Sequence, residues 1–249
     1  MMIKSEANAL WGCFHREVRR FLHEPEQTIL NVFFSQFLFF IILFFLNRAR
    51  VWSLIPGILI FTEFGVVFSN LKMTLFVGKI DQTLDYQLSS GIRRWKLYAV
   101  YVTASVLRSL IICIPMYVVF ATVFHQFNIA MVPVLVLWLV VTGIAFCNLS
   151  IFMIIFVNSW NGVGAVESYV VAPLTYLSGC LFSIKQVNFP WRNLILLNPV
   201  FHYFNVLNKY YIGIAEYSFS FSFIFGILFM VLTTTLCVGI FNQGFKILE

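Results

Sequence analysis

An all-α integral membrane protein is the fold class this sequence predicts, and three observations predict it. Hydrophobic residues fill 61% of the 249 positions and charged ones only 10%, whereas soluble domains carry roughly 25% charged residues. The mean hydropathy is +0.90. Six stretches are apolar over about the 20 residues a helix needs to cross a hydrocarbon core about 30 Å thick. They are apolar throughout instead of alternating, which argues against a β-barrel. A soluble enzyme is excluded because too few polar groups exist to cover a water-facing surface, and a disordered or collagen-like chain is excluded by the same composition. The net charge of +6 is read as membrane orientation and not as a nucleic-acid footprint.

Taken in order, residues 7–22 place Leu10, Phe14, Val18 and Phe21 at near-helical spacing, with Arg16, Arg19 and Arg20 largely off that stripe and Trp11 suited to an interface. This predicts an amphipathic helix on the inner membrane surface; a plain positive-inside anchor has the same composition. Pro25 separates it from the first span. No apolar core of signal-peptide type precedes residue 28, so no cleaved signal is expected. Spans are expected over 28–46, 54–77, 97–124, 131–157, 166–184 and 219–241. Together they make a single transmembrane domain over residues 1–249.

Ten of the sixteen Lys and Arg residues fall before the first span, around the second-to-third connection, or after the sixth. Five (Arg48, Arg50, Lys185, Arg192 and Lys209) fall on the other side, and Arg108 lies inside the third span. The positive-inside rule then puts both termini in the cytoplasm. The two halves show no repeat, so the inverted repeats of many secondary transporters are not supported.

Three features exceed what topology needs. The cytoplasmic loop 78–96 (GKIDQTLDYQLSSGIRRWK) repeats Ile80, Leu84 and Leu88 every four residues, which predicts a short amphipathic helix ending at Ser89-Ser90-Gly91. With Asp81 and Asp85 on its polar side, that helix docks on a cytoplasmic partner or rests on the base of its own bundle. Glu63 and Arg108 are intramembrane charges near the midplane, where charges are expensive and find partners. They form an ion pair, line a polar path, or only fix helix packing. The external stretch 189–205 (FPWRNLILLNPVFHYFN) is broken by Pro190 and Pro199 and rich in interface-seeking aromatics. It reads as a short helix re-entering the outer leaflet, or as an aromatic-belt loop.

No catalytic residue is assigned. Gly78-Lys79 lacks the upstream Gly and following Ser/Thr of a P-loop, GxSxG and HExxH do not occur, and His125 and His202 have no ligand at metal spacing. The five cysteines show no CxxC spacing, and four of them lie in apolar runs as small hydrophobes. Asn148-Leu149-Ser150 matches a glycosylation triplet but lies within a span, so it is set aside.

Several segments together carry a family resemblance. PLTYLSGCLFS (Pro173 to Ser183), FPWRNLILLNP (Phe189 to Pro199), the Tyr-rich segment before the last span, the basic amphipathic N-terminal segment and the Pro56-Gly57 opening of the second span resemble the type-2 ABC transporter permeases. These are the membrane subunits of bacterial ABC exporters, and the likeness extends to both general and polysaccharide-export permeases. One departure is Leu88-Ser89-Ser90-Gly91, where relatives often show a Pro after a small residue.

The resemblance implies two copies of this chain with two copies of a separate cytoplasmic ABC ATPase in the bacterial inner membrane. The ATPase would use ATP and Mg, and this chain would hold no cofactor. Asp81, Gln82, Leu84, Asp85, Tyr86, Leu88, Gly91, Arg93 and Arg94 would form the coupling element. Trp11, Phe14, Arg16, Arg19 and Arg20 would belong to the interfacial helix, and Pro190, Trp191, Asn198, Pro199 and His202 to an external gate. The first and fifth spans would make the dimer seam, with Ser178 and Gly179 permitting close approach. The substrate class implied is lipid-linked, polysaccharide or hydrophobic and drug-like. Two other classes compete: an ion-coupled transporter or channel using Glu63 and Arg108, and an intramembrane enzyme, for which no constellation exists.

Overall fold

The computed structural model describes residues 2–23, 34, 37, 38, 41, 45, 51–89, 91–125, 128–179 and 182–243. Among them the regular structure is helical. Helix α1 is Met2–His23. Helix α2 is Val51–Leu71, prolonged by a π-helical stretch Lys72–Val77 and a last turn Gly78–Ile80. The short α3 is Thr83–Ser89, α4 is Arg94–Val123 and α5 is Val132–Ile155. Helix α6 runs from Trp160–Val166 through a π-helical stretch Glu167–Val171 into Ala172–Tyr176. Then come α7, Trp191–Leu197, α8, Pro199–Ile212, and α9, Phe219–Gln243.

Four segments are long and apolar enough to cross a membrane: Leu54–Ile80, Arg94–Val123, Ile129–Ile155 and Phe219–Gln243. They match the expected second, third, fourth and sixth spans. Most of the expected first span lies outside the described residues; Phe34, Phe37, Leu38, Ile41 and Phe45 within it are helical. The expected fifth span, 166–184, is displaced. Its helix starts at Trp160 because the Ser159 hydroxyl caps it, accepting from the Gly162 amide at 3.1 Å, as N-cap serines do. It ends at Tyr176, and Gly179 at φ 74° turns the chain where a Cβ would press on the Phe201 ring. Ser178 is fully buried within the chain. Gly179 thus packs against this chain's own α8, and the Ser178 hydroxyl donates to the Thr175 carbonyl of α6 at 2.5 Å.

Helix α2 is the centre of the bundle. It packs on α4, α5 and α8, while α9 covers α5 and α8. In α2, 78% of the most apolar stretch is buried, against 11% in α9, which therefore turns most of its surface outward. Phe64 of α2 stacks on Phe146 of α5 at 4.7 Å between ring centroids, and Phe146 meets Tyr203 of α8 edge-on at 5.5 Å. Polar side chains tie the apolar helices together. The Asn148 amide accepts from the Tyr98 hydroxyl at 2.6 Å and donates to Thr234 at 2.9 Å, joining α4, α5 and α9. Such bonds hold helices where lipid gives little hydrophobic drive for association.

Candidate functional site

Two regions concentrate the buried polar chemistry. The first is the end of the bundle where α1, α3 and the last turns of α2 meet. Gln82 at φ 56° breaks the helix between Ile80 and Leu84, so the predicted four-residue stripe does not continue back to Ile80, which is 53% exposed. Leu84 and Gln87 are the residues α3 buries, with Leu88 partly buried. Asp81, Gln82 and Tyr86 stay exposed, Tyr86 at 79%. Gly91 at φ 77° turns the chain into α4, whose first turn begins at Arg94 after Arg93 in extended conformation. One side of α3 therefore seats on the base of its own bundle, and the other side is open.

Between that open side and α1 lies a groove of about 550 Å³, lined among others by Gly12, Cys13, Arg16, Gln82, Tyr86 and Ile92. Burial pushes the Cys13 thiol above its ordinary range, with Arg16 pulling the other way. The Gln87 side-chain oxygen accepts from the Arg16 guanidinium at 2.8 Å while its amide donates to the Tyr101 hydroxyl, so Arg16 links α1 to both α3 and α4. Trp11 and Arg19 are exposed, and Phe14 is partly buried.

Behind the groove the residues sort differently from the sequence expectation. Arg20 turns inward, and the carboxylate that receives it is Glu17, only 1% exposed. Glu17 pairs with Arg20 at 2.7 Å and Arg16 at 2.9 Å and accepts from Thr74 of α2 at 3.0 Å. Arg20 also donates to Thr74 at 2.7 Å and Asn70 at 3.3 Å. Arg108, 7% exposed, donates to Asn70 and to the Glu17 carbonyl and lies 5.0 Å from the Phe21 ring centroid. Glu63, in contrast, is enclosed between α2, α4 and α5, where its carboxylate accepts from Thr142 at 2.5 Å. Gly143 is glycine because a Cβ there would meet Glu63 Oε1 at 3.1 Å and Val106 at 3.2 Å. Glu63 and Arg108 do not form the ion pair allowed by the sequence; Arg108 is drawn toward α1 instead. Glu17 escaped sequence reasoning, although its position between Phe14, Val18 and Phe21 put a carboxylate on an apolar stripe.

The second region is the α7–α8 pair. Asn198 caps α8 by accepting from the Val200 amide at 3.0 Å, with Pro199 next in the helix, and donates to the Leu174 carbonyl of α6 at 2.6 Å. His202 is fully buried. Its Nε2 faces the Leu196 carbonyl at 2.9 Å, which makes it the donor, and Nδ1 accepts from Ser222 of α9 at 3.1 Å. Pro190 and Trp191 remain exposed, beside an apolar groove lined by Leu177, Phe182 and Leu194. Lys72 of α2 reaches Glu167 of α6 at 2.9 Å.

Such a bundle, with four helices long and apolar enough to cross a membrane and an N-terminal helix clasped to its polar end, is that of a multi-pass membrane protein. The chain belongs to the ABC-2 type transporter family, whose profile matches residues 8–212. It is thereby the membrane subunit of an ABC transporter, a class that works with an ATPase subunit. The inner membrane transport permease YadH of Escherichia coli strain K12 is 22% identical over 245 residues, covering 95% of each chain. The protein of the same name from Shigella flexneri is similar to the same extent. No solved structure gives a significant match.

Proposed function

We propose that this chain is the permease of an ATP-driven exporter in the bacterial inner membrane, working as two copies with two copies of a cytoplasmic ABC ATPase. Segment 28–46 and α6 complete six crossings with the four long helices, and both termini lie in the cytoplasm. The chain carries no ATPase site of its own; the partner hydrolyses ATP with Mg as its cofactor. The cargo class is lipid-linked, polysaccharide or hydrophobic and drug-like.

The observation that carries this reading is the groove between α1 and α3, open on a side lined by exposed Asp81, Gln82 and Tyr86, in a chain of a transporter family. Tyr86 and Arg16 are residue types that dominate binding energy at interfaces. Closure of the ATPase pair presses on α3, and the bundle shifts between two arrangements. The α7–α8 pair gates the external end, with Asn198 and His202 fixing it to α6 and α9. The competing ion-coupled reading needs Glu63 and Arg108 to act as one polar path, and each is engaged by different neighbours.

Replacing Tyr86 by Ala tests the assignment. ATPase capture by the tagged permease is expected to fall about tenfold or more, the scale of losing an interface aromatic, while the melting temperature of the isolated permease holds. Unchanged capture in that variant and in Asp81→Ala would argue against α3 as the docking element.

A further inference from the structure

We infer that Glu17 is a positioning residue, locking α1 to α2 and α4 so that a displacement of α1 at the groove is delivered to the bundle; the inference rests on the export reading above. A carboxylate removed from water is costly unless it is paired and hydrogen-bonded. Glu17 occupies a position on the apolar stripe of α1, and its compensation comes from both sides of a helix interface. Arg16 and Arg20 hold it within α1, and Thr74 binds it from α2. Arg20 continues the contact to Asn70 of α2, and Asn70 donates to Ser105 of α4 at 2.5 Å. Arg108 of α4 closes the ring on the Glu17 backbone.

Two consequences follow from this arrangement. Arg16, a wall of the groove, is the neighbour of Glu17 in the chain and its partner in space, so anything that moves the groove wall pulls on the clasp. The clasp has few ways to yield gradually, because sliding α1, which carries Arg16 and Arg20 along with Glu17, breaks the bonds to Thr74 and Asn70 and takes the Glu17 carbonyl from the buried Arg108. Networks of this kind hold one discrete arrangement or another. The apolar contacts nearby, Phe21 against Val66 and Ile112, have no such penalty and would let α1 slip.

The test uses the complete permease–ATPase complex. Two reporter cysteines, His15→Cys on α1 in a Cys13→Ala background and Phe189→Cys on the external stretch, are followed by peptide-resolved thiol labelling with and without ATP plus vanadate. In the parent complex both labelling rates respond to nucleotide. In Glu17→Gln the ATPase is still captured and the α1 reporter still responds, but the external response falls about fivefold or more, as expected for a lost coupling. A wild-type external response overturns the inference. So does a parallel loss of accumulation, capture and both responses, which would mark Glu17 as merely structural, unless Thr74→Val shows the selective loss. That variant removes the hydroxyl between Glu17 and Arg20 without stranding a charge, and a wild-type response in it overturns the inference as well. A parent complex that captures no ATPase sinks the export reading and this one together.

Discussion

Arg108 and Glu63 illustrate how residue-scale electrostatics is decided by neighbours and not by depth. Both were legible in the sequence as charges within apolar runs, and the cost of such charges made partners certain. Which partners could not be read, because α1 lies more than eighty positions before Arg108 and its carboxylate was hidden among arginines. The charge-swapped double variant Glu63→Arg with Arg108→Glu is therefore expected to fold no better than either single variant, measured as monodisperse yield after extraction; rescue would restore the ion-pair reading. Gly143 makes a second case. Gly143→Ala should destabilise by about 1–3 kcal/mol, since its new methyl meets Glu63 and Val106 in a packed site, whereas Gly65→Ala, with open space around it, should be neutral or gain up to about 1 kcal/mol. Thermal unfolding of the two variants in one detergent compares them directly.

At the scale of elements, the long apolar helices were the readable part. Continuous hydrophobicity over about 20 residues admits few alternatives, and α4, α5 and α9 begin and end within a few residues of expectation. The shorter pieces were harder because caps and turns decide them. Ser159 moved the start of α6, Gln82 interrupted the stripe of α3, and α6 stopped at Tyr176, short of the expected bound at residue 184. Asn198-Pro199 is the exception, a cap followed by a helix-starting proline that marks α8 in the sequence itself. What holds α8 in place was not visible: Asn205, fully buried, donates to Ser222 at 2.9 Å and accepts from the Glu216 amide at 2.7 Å. Asn205→Ala leaves those groups unsatisfied and should cost about 2–3 kcal/mol, read as a lower unfolding temperature. An unchanged unfolding temperature would mean that the loop before α9 is held by other contacts.

For the whole molecule, the arrangement is a central α2 wrapped by α4, α5 and α8, with polar contacts placed at its two ends. At one end α1 and α3 frame a groove and are tied together by Arg16, Gln87 and Tyr101; at the other, His202 and Asn198 fix the α7–α8 pair. Composition announced the membrane, and the C-terminal motifs announced the family, but neither carries the cargo. Many of the aromatic side chains stack on one another within the bundle or along α9, as Phe221, Phe225 and Phe229 do, so aromatic content does not identify a ligand. On the proposed reading, a separate ATPase seated on α1 and α3 drives this chain. That reading is tested most directly by tagging the chain in its native host, extracting the complex gently and identifying what co-purifies. The expected result is an ABC ATPase in equal stoichiometry, depleted about tenfold or more when Tyr86 is replaced by Ala. A homo-oligomer recovered repeatedly without an ATPase would contradict it.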